Sequence, residues 1–126
     1  MHANSFKDLE VYKLARQLSL EIFEETKSFP KEEMYSLTDQ IRRSSRSVGA
    51  QLAEAWSKRR YIKHFVSKLT DADGEQQETQ HWIETACDCC YLTNKQSQDW
   101  LNRYSSVGKM LNSMINKADS FCGKQD

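Results

Sequence analysis

Seven cationic side chains lie close together in the chain between Ile41 and His64, with a single acid, Glu54, among them. An arginine presents a planar fork of N–H donors that fits phosphate or carboxylate oxygens, and a lysine adds a compact positive charge. The stretch therefore predicts a surface that binds RNA or DNA, or one that contacts acidic groups of a neighbouring subunit. The seven residues are Arg42, Arg43, Arg46, Lys58, Arg59, Arg60 and Lys63.

The first three of these arginines fall in a segment, 33–60, that has the period of an amphipathic helix. Its apolar side chains recur at steps of three and four, or multiples of them, at Met34, Leu37, Ile41, Val48, Leu52 and Ala55. Roughly opposite that stripe lie Arg42, Arg43, Arg46, Ala50 and Ala53. The segment thus predicts a helix with one face for the core and another face that is basic and formed by small residues.

Acidic residues are concentrated further along the chain, in a stretch without Lys or Arg that contains Asp71, Asp73, Glu75, Glu78, Glu84 and Asp88. The whole chain balances 18 basic against 18 acidic residues, so binding to nucleic acid requires a local basic patch. The separation of charge predicts opposite potentials that steer a partner or a neighbouring subunit. The simpler alternative is two solvated helix faces.

The residues that could support catalysis are poorly placed for it. His2, His64 and His81 do not accompany a nucleophile motif, and no glycine-rich phosphate loop is present. Glu54 lies among cations, where an ion pair is the simpler role. We predict that the protein has no catalytic residues and is not an enzyme.

The four cysteines do not have the spacing of a disulfide framework. Cys87 and Cys90 fall on one helical face with Ile83 and Ala86, which predicts that both thiols are buried as small hydrophobic side chains. A zinc site requires four converging ligands, and His81 does not lie on the arc of the thiols. We predict neither a bound metal nor a cofactor.

The length of 126 residues, with one proline and four glycines, predicts a single domain, 1–126, of long helices. The pattern places the helices, followed by a frayed tail at 123–126, at about 7–27, 31–58, 61–93 and 97–121. Four helices with short connections pack most simply as an all-α, antiparallel, up-down-up-down four-helix bundle. Since no run approaches the roughly 20 apolar residues of a membrane span, we expect a cytoplasmic protein with no membrane partner.

The third helix carries the most regular seam in the chain, formed by Ile62, Phe65, Leu69, Ala72, Gln76, Thr79, Ile83, Ala86 and Cys90. Gln76 and Thr79 place polar groups in the middle of this seam, where they need hydrogen-bond partners or water. Gly74 is predicted to allow a close approach by another helix.

The first helix has two apolar bands instead of one. Val11, Leu14, Ala15, Leu18 and Ile22 form one band, and Leu9, Tyr12, Leu20 and Phe23 form the second. A second band indicates that another surface of this helix is covered, either by a helix of the same bundle or by another copy of the chain. We predict a cyclic homo-oligomer.

Three segments together resemble the bacterial four-helix bundle protein family, also called the ribosomal-RNA intervening-sequence protein family. They are Phe6-Lys-Asp-Leu-Glu-Val-Tyr-Lys-Leu-Ala, Phe29-Pro-Lys-Glu-Glu-Met-Tyr-Ser-Leu-Thr-Asp-Gln-Ile-Arg-Arg-Ser and Ser47-Val-Gly-Ala-Gln-Leu-Ala-Glu-Ala. The resemblance covers about residues 6–120. The family usually reads Asn-Ile-Ala-Glu-Gly where this chain reads Gln51-Leu-Ala-Glu-Ala55, so a glycine is missing near the boundary between the second and third helices.

The resemblance implies an antiparallel four-helix bundle that assembles as a ring of identical subunits, with five expected. A distant relative, the accessory protein of diversity-generating retroelements, is a pentamer that binds nucleic acid and reverse transcriptase through a basic surface. A nucleic-acid-processing protein is therefore a further expected partner.

We accordingly expect a non-enzymatic homo-oligomer that binds RNA or other nucleic acid through the basic surface of the second helix. No stacking platform is evident, so recognition of structured RNA by backbone and shape is expected. The alternative is a structural or adaptor oligomer, in which the same basic face mediates contacts between proteins.

Overall fold

The computed structural model describes residues 3–123, which form helices joined by short turns and contain no strand. The four long helices are α1 (Glu10–Thr26), α2 (Asp39–Ser57), α3 (Ile62–Asp88) and α4 (Asn94–Asn116), and a short α5 (Ala118–Phe121) follows. Short 3-10 turns at Phe6–Asp8 and Lys31–Glu33 precede α1 and α2, and a π-helical turn at Met34–Thr38 leads into α2. The predicted all-α fold class is confirmed.

Each long helix packs against the next one in the chain, and α4 closes the bundle against α1. Contacts between α2 and α3 fix their relative direction, because the first half of α2 meets the middle of α3 through Arg43 and Glu75, whereas Glu54, near the end of α2, meets Lys68, near the start of α3. The two helices are therefore antiparallel. The same order, repeated around the bundle, is the predicted up-down-up-down arrangement.

Two helix ends differ from the sequence prediction, because local backbone and capping interactions determine where a helix stops or starts. The helix α3 ends at Asp88 and not near 93, because Cys90 adopts a left-handed backbone with φ of 64°. The helix α4 begins at Asn94, since Thr93 Oγ1 accepts a hydrogen bond from the backbone N–H of Gln96 at 3.1 Å. Most of the predicted tail at 123–126 lies outside the described residues.

The core is formed by the side chains that the helical periods place inside. Fully buried are Leu18, Ile22, Leu37, Ile41, Val48, Leu52, Phe65, Leu69, Ile83, Tyr104, Val107 and Leu111. The predicted seam of α3 is buried from Phe65 to Ala86, including Gln76 and Thr79. Met34, predicted on the core face, is instead 37% exposed because it lies in the π-helical turn.

The polar groups of the seam are satisfied by neighbouring side chains. Thr79 Oγ1 donates to Ser44 Oγ of α2 at 2.8 Å, and both residues are buried. The Gln76 amide donates to Asp73 at 2.9 Å and accepts from Gln80 at 2.7 Å. It lies against Gly108 of α4, where an added Cβ would be 2.8 Å from Gln76 Nε2. The close approach expected at Gly74 was wrong, since a Cβ there would meet nothing within 4 Å.

The first and last long helices are joined by a charged pair. Arg103 of α4 pairs with Glu21 of α1 through both guanidinium ends, one at 2.7 Å, and the Trp100 indole N–H adds a contact at 3.3 Å. The Arg103 hydrogen bonds are the main cause that lowers the pKa of Glu21 to about 2. Since α1 and α4 are far apart in the chain, this pair closes the bundle.

Replacing Arg103 by Ala is expected to lower the free energy of unfolding by about 1–3 kcal/mol, because charge-assisted hydrogen bonds are lost and a half-buried carboxylate is left without its cation. The pKa of Glu21 is lowered from 4.5 to about 2 in the folded chain. Its contribution is therefore complete above about pH 4.5 and is lost as the pH falls towards 2.

Urea denaturation at equal protein concentration and at pH 7, 4 and 2.5 measures this difference. Lys13→Ala is the control, because the exposed Lys13–Glu10 pair is expected to contribute less than about 1 kcal/mol. A difference between the parent and Arg103→Ala that stays constant across the pH range would contradict the assigned role of Glu21.

Candidate nucleic-acid interface

The seven cations predicted to form one basic surface fall into two groups in the structure. Arg42, Arg43 and Arg46 lie in the first half of α2, whereas the other four lie where α2 ends and α3 begins. Arg46 and Lys58 are separated by about 18 Å along the helix, at about 1.5 Å per residue. The two groups therefore have to be considered separately.

Arg43 is used within the chain, to hold α2 on α3. Its guanidinium pairs with Glu75 at 3.1 Å and with Glu78, and the hydrogen bond with Glu78 is the largest cause that raises the pKa of Arg43. Glu78 also accepts a hydrogen bond from the Trp82 indole at 3.0 Å, which contributes most to its lowered pKa. Two acids of the stretch 71–88 are thus paired with a cation of the same subunit.

Arg42 and Arg46 both lie over the ring of Phe23 in α1, at 4.8 and 5.3 Å from its centroid. Arg42 is half-buried, and its Nε donates to Thr26 Oγ1 at 2.8 Å while a terminal nitrogen donates to the Phe23 carbonyl at 3.4 Å. Arg42 therefore joins α2 to the end of α1. Arg46 is the more exposed of the two.

The second group surrounds a tight turn between α2 and α3. Ala55 stands where the family usually has glycine, but it is buried and helical, and α2 continues to Ser57. The chain then turns within 58–61, and the backbone N–H of Tyr61 donates to the Lys58 carbonyl at 2.9 Å. A tight turn therefore separates α2 from α3, although the glycine usual in the family is missing.

The cations of this turn differ in how much they are held by the fold. Arg59 stacks on Trp56 at 3.7 Å from the ring centroid, and its Nε donates to the Trp56 carbonyl at 2.9 Å. Lys58, Arg60 and Lys63 are exposed. Within the described range of the chain, neither Lys58 nor Lys63 forms an ion pair.

An exposed aromatic pair lies among these cations. Tyr61 is 55% exposed, and its ring centroid is 5.4 Å from that of His64, with the ring planes at 50°. Tyr61 is also the N-cap of α3, and the first turn of α3 contains no acid, so the positive end of the helix dipole is not offset there. We call Lys58, Arg60, Tyr61, Lys63 and His64 the turn surface.

Sequence reasoning did not identify Tyr61. The available signal was an aromatic residue enclosed by four cations at the boundary between two helices, in the order Lys58-Arg-Arg-Tyr-Ile-Lys63. Because aromatic residues usually join the core, such a residue attracts attention only when the turn that exposes it is known.

A groove between α1 and α2 brings together the small and apolar residues predicted on these helices. Its lining combines the apolar and small residues Phe6, Tyr12, Ala15, Ser19, Leu20, Ser45, Gly49, Ala50 and Ala53 with the arginines Arg16 and Arg46, and we call it the α1–α2 groove. Leu20 is 54% exposed beside it. The second apolar band of α1 is thus divided, because Leu9 is buried and Tyr12 and Phe23 are half-buried, whereas Leu20 faces solvent.

The expected burial of Cys87 and Cys90 was wrong. Cys87 is half-buried, and its thiol contacts Asn94 Oδ1 at 3.2 Å, while Cys89 and Cys90 are exposed. The helical period cannot continue to Cys90, because α3 ends at Asp88 and the chain turns there. The buried thiol is Cys122, and burial raises its pKa.

The structure also bears on metal binding and membrane insertion. In the part of the chain that the structure describes, no three His, Cys, Asp or Glu side chains are grouped closely enough to hold a metal ion. Within the same residues, no helix is both long enough and apolar enough to cross a membrane. His2 lies outside the described residues.

Comparison with known proteins then assigns the chain to a family. The family model described as 23S rRNA-intervening sequence protein matches residues 7–113. The chain belongs to this family.

Its fold is similar to a crystal structure, at 1.70 Å resolution, of a protein of unknown function from the S23 ribosomal protein family of Bacteroides thetaiotaomicron VPI-5482. The two chains are 28% identical with a TM-score of 0.75, and the match covers 84% of this chain and 95% of the other. No curated protein matches the chain.

The positions of the thiols predict two rates of reaction with a thiol reagent in the native protein. Cys89 and Cys90 are expected to react fast because they are exposed, and Cys122 is expected to react at least about tenfold more slowly because it is buried and its pKa is raised. Absorbance with a chromogenic disulfide, followed by peptide mass mapping, assigns each rate. Rapid native labelling of Cys122 would contradict the packing of α5.

Proposed function

We propose that this member of the 23S rRNA-intervening sequence protein family is a non-enzymatic homo-oligomer that binds RNA through the turn surface. The observation that carries the proposal is that Lys58 and Lys63 are exposed and form no ion pair in the described range. They lie at the start of α3, where no side chain caps the helix and the first turn contains no acid. Phosphate oxygens are the ligands that such a surface attracts best, through exposed cations and a positive helix end.

We choose RNA among the polyanions because the family name refers to 23S ribosomal RNA sequence, although it states no binding activity. The turn surface has no element shaped to enter a major groove, so we propose contacts to the RNA backbone without base-edge readout. Binding of this kind is governed by counterion release and weakens steeply as salt rises.

The sequence-based prediction that Arg42 and Arg43 contact nucleic acid is less well supported. Both guanidinium groups are held by partners in the same chain, Arg43 by Glu75 and Glu78 and Arg42 by Thr26. Binding a phosphate at either position would require those contacts to be exchanged. We therefore assign RNA contact to the turn surface. Arg46 is the arginine of the first group that is exposed and forms no ion pair within the described residues, and it lines the α1–α2 groove.

A ring of subunits would strengthen a weak single contact. Only a few cations converge on one turn surface, and identical copies held in one assembly engage a long polyanion at high effective concentration. The α1–α2 groove supports such an assembly, because Leu20 exposes an apolar side chain beside residues small enough to admit another helix. We propose a cyclic homo-oligomer of five subunits that uses this groove.

The alternative is a structural or adaptor oligomer that does not bind RNA. Its original basis was a contact between the helix-two arginines and acids of a neighbouring subunit. Arg43 already meets Glu75 and Glu78 of its own subunit, which weakens that basis. The α1–α2 groove is compatible with both functions, so RNA binding has to be tested separately from assembly.

The oligomer is tested by multi-angle light scattering at micromolar concentration. We expect a mass about five times the 14.7 kDa of one chain. Leu20→Asp is expected to reduce that mass to a monomer or dimer, because it places a charge in an apolar contact. Met34→Asp is the matched control, since Met34 is exposed but lies outside the groove. A monomeric mass for the unmodified protein would rule out the assembly.

RNA binding is tested with Lys58→Ala/Lys63→Ala against Lys31→Ala/Lys95→Ala, which removes the same charge from exposed positions at the other end of the bundle. Fluorescence anisotropy with labelled RNA at about 50 and about 200 mM salt gives the affinity and its salt dependence. The turn variant is expected to bind less tightly, with a log–log salt slope reduced by about 1 per lost contact. Equal affinity and slope for the two variants would support the adaptor alternative.

A further inference from the structure

We propose that Tyr61 is a stacking platform for an unpaired base, so that the turn surface prefers single-stranded RNA to duplex. The inference rests on the proposed function and deepens it by naming the class of RNA that the site takes. It replaces the expectation that the protein has no stacking platform and recognises structured RNA by its backbone and shape.

The exposure of Tyr61 is not explained by packing within the chain. Its side chain is 55% exposed, and its hydroxyl makes no hydrogen bond to any described residue. Tyr91, in contrast, donates to Glu33 at 2.8 Å, and Tyr104 is fully buried. The ring of His64 is tilted by 50° relative to Tyr61 and leaves much of that ring accessible.

The backbone on both sides of Tyr61 is held in place. Its N–H donates to the Lys58 carbonyl at 2.9 Å, and its carbonyl accepts from the N–H of Phe65 at 3.0 Å as α3 begins. The ring is therefore attached to a fixed Cα and has only two side-chain torsions to order. A rigid aromatic side chain of this kind offers contact area at a low cost in conformational entropy.

The exposed lysines of the turn lie close to this ring in the chain. Lys58 and Lys63 precede and follow Tyr61, so a nucleotide whose base stacks on the ring would keep its phosphates near both ammonium groups. Combining a positive surface with an aromatic ring is the usual means of binding single strands without sequence preference. An aromatic ring without cations lacks the electrostatic part of this arrangement.

Duplex RNA cannot use the ring in the same way. In an A-form helix each base is already stacked on its neighbours, and the accessible grooves present base edges, sugars and phosphates. Only an unpaired base, in a single strand, a loop or a bulge, presents its face. The lysines can contact both kinds of RNA, but Tyr61 discriminates between them.

Tyr35 provides the matched control within the same chain. It is 83% exposed, more than Tyr61, but it lies in the π-helical turn at the other end of the bundle, with Glu32 and Glu33 shortly before it. If exposure of a tyrosine were sufficient, both residues would contribute to RNA binding. The proposal assigns the effect to Tyr61 alone.

The experiment compares the parent with Tyr61→Ala, Tyr61→Phe and Tyr35→Ala, each checked for assembly by light scattering. Anisotropy is measured with three ligands of equal length: a single strand without self-complementarity, a blunt duplex and an abasic strand that retains the phosphates. We expect Tyr61→Ala to bind the single strand about 5- to 100-fold more weakly, as for the loss of one stacked base. Its affinity for the duplex and the abasic strand should be unchanged, and Tyr61→Phe and Tyr35→Ala should match the parent.

Other outcomes overturn the inference in distinguishable ways. If Tyr61→Ala binds the single strand as well as the parent does, or loses the same factor with all three ligands, Tyr61 does not act by stacking. Salt-sensitive binding that still requires Lys58 and Lys63 would then leave the proposed function intact. If the parent binds none of the three ligands, the inference and the proposed function fail together.

Discussion

The burial of Ile41, Val48 and Leu52 sets the rotation of α2 in the bundle. In that rotation Arg43 of α2 reaches across to α3, where it pairs with Glu75 and Glu78. With Arg43 directed at α3, helical geometry turns Arg42 towards α1 and buries Ser44 in the core. The same rotation leaves Ala50 exposed along the α1–α2 groove. The sequence shows a basic second helix and an acidic third helix. In the structure, part of this opposite charge holds the two helices together through Arg43.

The fold was predictable from the sequence because burial repeats along the helices with a regular period. From Phe65 to Ala86 the seam of α3 is buried as predicted. The period could not locate the end of that helix, because Cys90 takes the left-handed conformation that usually belongs to glycine. Cysteine, unlike glycine, does not signal the end of a helix in a sequence. The Cys90 thiol was therefore predicted to lie in the core, which it does not reach.

The candidate site was only partly predictable, because charge alone does not indicate how each cation is used. The partners of Arg43 are more than thirty residues away in the chain. Whether they meet Arg43 depends on which side of α3 packs against α2. Lys58 and Lys63 lie on either side of the short turn between α2 and α3, so their closeness in the chain was evident from the sequence. Tyr61 was missed because its exposure depends on the turn that follows the end of α2 at Ser57, two residues beyond Ala55.

The hydrogen bond between Ser44 and Thr79 helps to set the register of α2 against α3. Sliding α2 along α3 by one helical turn, about 5.4 Å, would keep many apolar contacts but separate the two hydroxyls inside the core. Thr79 Oγ1 also lies 2.9 Å from the Glu75 carbonyl of its own helix, so the slide would remove only the bond between the helices, worth about 0.5–1.5 kcal/mol. The pair therefore favours one register of α2 on α3 over its neighbours, and with it one length for the turn that joins them.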